Sequence, residues 1–350
     1  MQSETARVEG SALFEWAGYR RLSGRATRAA TLLASATLTL VLAACGGGDD
    51  GEKKVVPTAF PDVTDSSHAT IRAANIFTGF FTAKSQHTAA PMVAFFAPAP
   101  ATVLYVDAGL GLTWPSQQSL LDVWSGASFA NGPPTALSYP VRVIGDEHSA
   151  TIEFIDTPEL LGSEFRFLSS ITFDSNAKIV RWVDYWDGRS SKVRLPIGTL
   201  GPYPTDFHDD VVNASARIQQ VSQALATALQ AGDATAASQL FTADAVFEDM
   251  ALHSRVEGKI QIERYLTRGL SLLPYGTGAS LAHVSGSDQG GGYEWHASSS
   301  AAPLLRGITA LELDPAGKIT RFTTIYDSYQ FTDAKYDSLV SLASELAPSP

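Results

Sequence analysis

Apolar and polar positions along the chain spell the same series of elements twice. Ile218, Val221, Leu225, Ala228 and Leu229 fall at helical spacing, and Gly232 follows as a stop. Residues 234–241 read as a second, short helix behind Asp233 as its N-cap. A short strand ending in Asp249 comes next, then an amphipathic helix over residues 260–270, then strands. Earlier in the chain, residues 71–81 and 91–96 give the helix pair, 102–107 a strand ending in Asp107, and 117–124 the amphipathic helix. The pattern predicts α-α-β-α-β-β-β used twice. Helices laid over a bent antiparallel sheet make an α+β fold.

The repeat is sharpest at the end of each series. Asp174, Lys178, Ile179, Arg181 and Asp187 recur without a gap as Asp314, Lys318, Ile319, Arg321 and Asp327. Each segment reads as a β-hairpin, with turn residues between two alternating strands. Prolines and glycines in residues 196–206 mark a linker between the copies.

The first 44 residues follow another logic. Arg20, Arg21, Arg25 and Arg28 precede an apolar run that ends in Leu42-Ala43-Ala44-Cys45. Charge followed by an apolar stretch is the build of a secretory signal. The last four residues resemble the bacterial lipobox, which implies a diacylglycerol on Cys45 and a membrane contact through that lipid alone. Gly46 to Gly51 is a polar, glycine-rich stretch suited to a tether. The expected organisation is a signal peptide (1–44), a tether (45–66), a first domain (67–190), a linker (191–212), a second domain (213–335) and a tail (336–350). With Gly46 rather than Asp after the cysteine, the resemblance to enterobacterial lipoproteins implies the periplasmic face of the outer membrane over the inner membrane.

Composition narrows the function. The 350 residues carry a formal charge of −11, which argues against a nucleic-acid partner. The single cysteine forbids an internal disulfide and a thiolate zinc site. No metal-ligand spacing or phosphate-cradling glycine loop is present, so neither metal nor cofactor is expected.

Residues 231–233 (Ala-Gly-Asp), Leu240 to Asp249 and Gly258 to Ile262 together resemble the nuclear-transport-factor-2-like, or SnoaL-like, superfamily, which includes ketosteroid isomerase. Asp314 to Ile319 followed by Tyr326-Asp327 is similar to that family's last hairpin. The resemblance implies two cone-shaped domains, each a curved sheet wrapped by about three helices around an apolar pocket. It implies that Asp249 stands where the isomerase keeps its proton-shuttling base, with Asp107 as its counterpart. The isomerase's oxyanion donors are not matched: Leu225 and Thr309 stand there in the second copy, Phe80 and Ser169 in the first.

Asp249 is therefore the first candidate for acid–base work, since a carboxylate against an apolar cavity gains basicity. His253, on the loop after the strand, is a candidate proton relay or a surface histidine. Alternation puts Tyr293 and Trp295 on one strand face and Glu294 with His296 on the other. An inward-facing Glu294 and His296 would form a polar site beside Asp249. Asp107, Tyr293, Trp295 and Tyr326 are candidate ligand contacts. Trp182, Tyr185, Trp186, Phe322 and, as the alternative to a ligand contact, Tyr326 read as core or inter-domain packing, and Asp187 and Asp327 as turn or surface charges. The leading expectation is an envelope-tethered protein that binds an apolar small molecule. The alternatives are an isomerase, lyase or hydrolase using Asp249, and a structural unit in which the two domains pair.

Overall fold

The structure, a computed structural model, describes residues 60–301 and 303–344. The candidate lipidation site Cys45 and the leader lie outside the described residues. The first series runs β1 (Asp65–Ala69), α1 (Ile71–Ser85), α2 (Ala89–Val93), β2 (Leu104–Asp107), β3 (Leu112–Trp114), α3 (Gln117–Trp124) and α4 (Ala127–Ala130). It continues through β4 (Ser138–Gly145), β5 (Ser149–Asp156), α5 (Pro158–Leu161), β6 (Phe165–Phe173) and β7 (Ile179–Trp186). The second comprises α6 (Ala216–Ala231), α7 (Ala234–Ser238), β8 (Phe241–Asp249), β9 (Ser254–Glu257) and α8 (Lys259–Gly269). Strands β10 (Ser280–Ser287), β11 (Gly290–His296), β12 (Arg306–Leu313) and β13 (Ile319–Ile325) follow, then α9 (Asp333–Ser344).

The strands form a seven-stranded sheet, β1-β4-β5-β6-β7-β2-β3, and a six-stranded sheet, β10-β11-β12-β13-β8-β9. Apart from β1, the two orders are the same. Three details depart from the expected antiparallel sheet. β2 runs parallel to β7, β8 runs parallel to β13, and β1 adds a parallel edge to β4. Each copy also gains a short strand, β3 or β9, folded back on the carboxylate-bearing strand before the amphipathic helix. Residues 65–66, expected in the tether, belong to β1, and the expected tail begins inside α9. The second short helix ends at Ser238, because Phe241 already pairs with Ile319.

Local chemistry explains the elements. The Ser215 hydroxyl caps α6 by accepting the Ile218 N–H, and Gly232 ends it at φ 74°, where an L side chain is strained. The Asp233 carboxylate caps α7 through Ala236. Ile218, Leu225 and Leu229 are buried along one face of α6. Each such side chain contributes about 1.5–3 kcal/mol on leaving water. The recurrent hairpin residues have defined tasks. Asp174 and Asp314 accept the backbone N–H of Lys178 and Lys318 across the turn. The two lysine Nζ atoms then tie the hairpins to the carbonyls of Ala94 and Gln239 at the ends of the helix pairs.

Each sheet encloses its own apolar core against its helices. A third core lies between the sheets, where Leu104, Val106, Ile144, Leu168, Val183 and Tyr185 meet Phe207, Ile308, Ala310 and Ile325. Polar contacts cross the same boundary: Thr151 Oγ1 lies 2.8 Å from Ser285 Oγ, and Gly286 N–H donates to Ser149 Oγ. The two recurrent aspartates also exchange contacts. Asp187 accepts the N–H and hydroxyl of Ser328, and Asp327 accepts the Gly188 N–H at 2.9 Å. Both carboxylates are buried, which corrects their reading as turn or surface charges.

Candidate functional site

Asp249 closes β8 and points into the second core, with no solvent exposure. One carboxylate oxygen accepts the Leu252 N–H at 3.0 Å. The other accepts the hydroxyls of Tyr275 (3.0 Å) and Tyr326 (3.1 Å). Burial raises its pKa to about 7, and these donors only partly offset that. The surrounding space is filled by Phe247, Tyr265, Tyr275, Trp295, Phe322 and Tyr326, and Phe247 stacks on Phe322 at 4.1 Å. α9 packs Leu339 and Leu342 into the same core. Asp249 is thus an anchored core carboxylate.

The other second-copy candidates scatter. Tyr293 and Trp295 do share the inward face: both are buried in the second core, and Trp295 donates to Thr309. Gly307 makes room for the Trp295 ring, which comes within 2.2 Å of where a Cβ would sit. Glu294 faces the other way, into the boundary between the sheets, and His296 lies exposed at the strand end. No polar site formed by Glu294 and His296 stands beside Asp249, because the pleat turns them away from the core. His253, held at φ 51°, reaches the first copy instead, with Nε2 3.0 Å from Ser190 Oγ.

The first core carries more charge than its sequence suggested. Asp107 accepts the Leu110 N–H and the Trp186 indole N–H, and burial with the nearby Asp184 raises its pKa to about 7. Asp184 takes hydrogen bonds from Tyr105, Ser169 and Trp182, and burial raises its pKa also. Lys84 on α1 pairs through Nζ with both oxygens of Asp156 at 2.9 Å and lies 4.7 Å from the Phe154 ring centre. A chamber of about 20 Å³, room for one water, remains among them. Lys84, Asp156 and Asp184 escaped sequence reading. A lysine three residues after Phe81 looks like a surface position, and Asp184 interrupts the apolar run Trp182-Val183 and Tyr185-Trp186 of a strand that also carries Arg181. That interruption was the available signal.

The boundary between the sheets holds two more clusters, related by the repeat. The strand pairings make Arg166, Arg181 and Glu153 of the first copy equivalent to Arg306, Arg321 and Glu294 of the second. At one pole, Arg181 meets Glu294 at 2.6 Å, and Arg306 reaches both Glu294 and Asp209. Burial alone would raise the Glu294 carboxyl, but the two guanidinium groups outweigh it and hold it well below the usual range. The linker covers this pole: Asp209 grips Arg306 with both oxygens, and the Phe207 ring lies 4.0 Å from its guanidinium. At the other pole, Glu153 pairs with Arg142, Arg321 with Glu248, and Arg166 with Glu164. Here a cleft of about 490 Å³ opens, lined by Arg166, Ser190, Met250, His253, Arg255 and Ile325 among others. Asp249 contributes to its wall, so His253 and Asp249 do border one space.

No protein-family model matches the sequence, and no curated protein matches it. Solved structures do. An NTF-2-like protein of unknown function from Burkholderia xenovorans LB400 aligns at 18% identity over 38% of this chain and 95% of its own, with a TM-score of 0.28. A steroid delta-isomerase from Pseudomonas aeruginosa aligns at 16% identity over 38% of this chain and 93% of its own, with a TM-score of 0.30. A SnoaL-like protein of unknown function from Burkholderia thailandensis E264 aligns at 16% identity, covering 33% and 98%, with a TM-score of 0.29.

Proposed function

We propose that this chain is a small-molecule-binding protein whose ligand sits in the cleft between the two sheets, and whose cores serve as frame. One contrast carries the reading. The cleft offers about 490 Å³, whereas the chamber beside Asp107 offers about 20 Å³ and the core of the second copy behind Asp249 is filled by aromatic rings. Ligand sites are concave spaces of a few hundred cubic ångströms with a few placed polar groups. Met250 and Ile325 supply apolar wall, while Arg166, Ser190, His253 and Arg255 supply the polar groups. In the same proposal a lipid on Cys45 holds the protein at the bacterial envelope.

The test is native mass spectrometry of the protein as purified, beside a Met250→Trp variant that fills the cleft. A defined molecule retained by the parent and lost from Met250→Trp supports the reading. A molecule retained equally by both, or none retained by the parent, sinks it.

Acid–base catalysis is a second reading, favoured by one observation: Asp107, with its pKa raised to about 7, borders a water-sized chamber beside Tyr105 and Lys84. It requires the wall at Leu110 and Leu161 to open.

A further inference from the structure

The two poles of the inter-sheet boundary carry the same charged residues, yet one is covered and the other open. At the covered pole the occupant is visible, and its chemistry is an aromatic ring two residues from a carboxylate. Phe207 stacks on Arg306, and Asp209 bridges Arg306 and Arg181. At the open pole Arg166 is the equivalent of Arg306, and it lines the cleft. We propose that the open cleft binds an aromatic carboxylate, with the acid on Arg166 and the ring against Met250 and Ile325. This rests on the cleft being the ligand site and adds the class of ligand.

Carboxylates outnumber arginines in the lining, and the partners already present decide which groups are free to meet an anion. Each lining carboxylate near the floor already has an ion-pair or hydrogen-bond partner. Glu153 has Arg142, Glu248 has Arg321, Asp187 has Ser190 and Ser328, and Asp249 has its two tyrosines. The arginines are matched only at the surface. Arg166, 54% exposed, pairs through Nε with Glu164, 49% exposed, and Arg255 pairs likewise with the exposed Glu257. Exposed pairs of this kind are weak and exchange readily. The guanidinium of Arg166 can turn from Glu164 to a ligand acid, and a planar fork grips a carboxylate at two points. At the covered pole Tyr185 adds a hydroxyl to the cluster, whereas its equivalent at the open pole is Ile325. That substitution makes the open pole the more apolar of the two, as a ring requires.

The chain itself holds a second ring–acid pair, Phe60 and Asp62, ahead of the first copy as Phe207 and Asp209 stand ahead of the second. Phe60 stacks on Tyr139, 6.4 Å between ring centres, whereas Phe207 stacks on the Arg306 guanidinium.

The test uses a fluorescent, capped peptide with the sequence of residues 205–210 (Thr-Asp-Phe-His-Asp-Asp), followed by polarisation against the full chain. The expected result is saturable binding that weakens about tenfold or more in Arg166→Ala, about threefold or less in Arg255→Ala, and by an intermediate amount in Arg166→Lys. Arg166 is half exposed and its partner weak, so these variants retain the fold. Displacement of the peptide by 3-phenylpropionate supports a small aromatic acid as occupant, and failure to displace it supports a peptide segment. No binding at millimolar peptide, or binding equal in Arg166→Ala, overturns the inference. If a molecule of different chemistry is meanwhile lost on Met250→Trp, the cleft stands as a ligand site and only the ligand class falls.

Discussion

The two copies share a strand order and differ in what the order encloses. Around Asp107 the first core collects Lys84, Asp156, Asp184 and Tyr105, whereas around Asp249 the second collects tyrosines and is filled by rings and α9. Even matched pairs trade volume. Phe154 stacks on Phe167 at 4.5 Å in the first copy, and Trp295 lies over Gly307 at the equivalent place in the second. The lesson is that the frame tolerates either polar or aromatic contents, provided buried groups are matched and space is filled.

The largest expected effect separates the cores by charge. Lys84→Met strands Asp156 in a buried site and should cost about 3–5 kcal/mol in denaturant unfolding. Adding Asp156→Leu should recover most of that loss. A loss under about 1 kcal/mol for the single variant would mean that the ion pair is not buried as described. The poles can be separated in the same way. Glu294→Gln removes the anion between two enclosed guanidiniums and should cost about 3 kcal/mol, whereas Glu153→Gln, whose carboxyl pKa burial already raises against its pairing with Arg142, should cost less, about 1 kcal/mol. Equal costs would erase the distinction between covered and open.

A third prediction concerns pH. The folded-state pKa of Asp249 is raised to about 7 by burial, above its unfolded value, so the folded form holds its proton longer. Stability from this group is full below about pH 4 and falls as pH rises through 7, by about 2 kcal/mol or more. Asp107, raised likewise, adds to the same slope. Asp249→Asn should flatten the fall in Tm between pH 5 and 8, and an unchanged slope would remove Asp249 from the account. The smallest effect lies in the hairpins. Ala177 (φ 57°) stands where the second copy has Gly317 (φ 81°). Ala177→Gly should therefore stabilise by about 0.5–1 kcal/mol and Gly317→Ala should destabilise by about 1 kcal/mol, both read by thermal melts.

Much of the frame was legible from spacing alone. The hairpins, the helix pairs and the strand-end aspartates all follow from periodicity and turn chemistry, because those signals are local. The parallel β2–β7 contact was not legible, since no local signal says which edge a returning strand joins. The site was legible in pieces. Asp107 and Asp249 announced themselves at strand ends, but the tyrosine that holds Asp249 from the loop, Tyr275, has no pattern to mark it. Arg166 and Arg306 recur at the same offset as Arg181 and Arg321. They stand on strands whose other residues diverged, and a comparison of isolated positions would have found them.

The exchange between Asp187 and Ser328, and between Asp327 and Gly188, has a thermodynamic consequence. Together with the Arg181–Glu294 pair, it makes buried polar groups of each half depend in part on the other: Ser328 and Gly188 donate across the boundary, and Arg181 and Glu294 share charge across it. If one half melted, these groups would lose part of their matching inside the half still standing. Calorimetry should accordingly register one endotherm for the pair, with van't Hoff and calorimetric enthalpies in agreement.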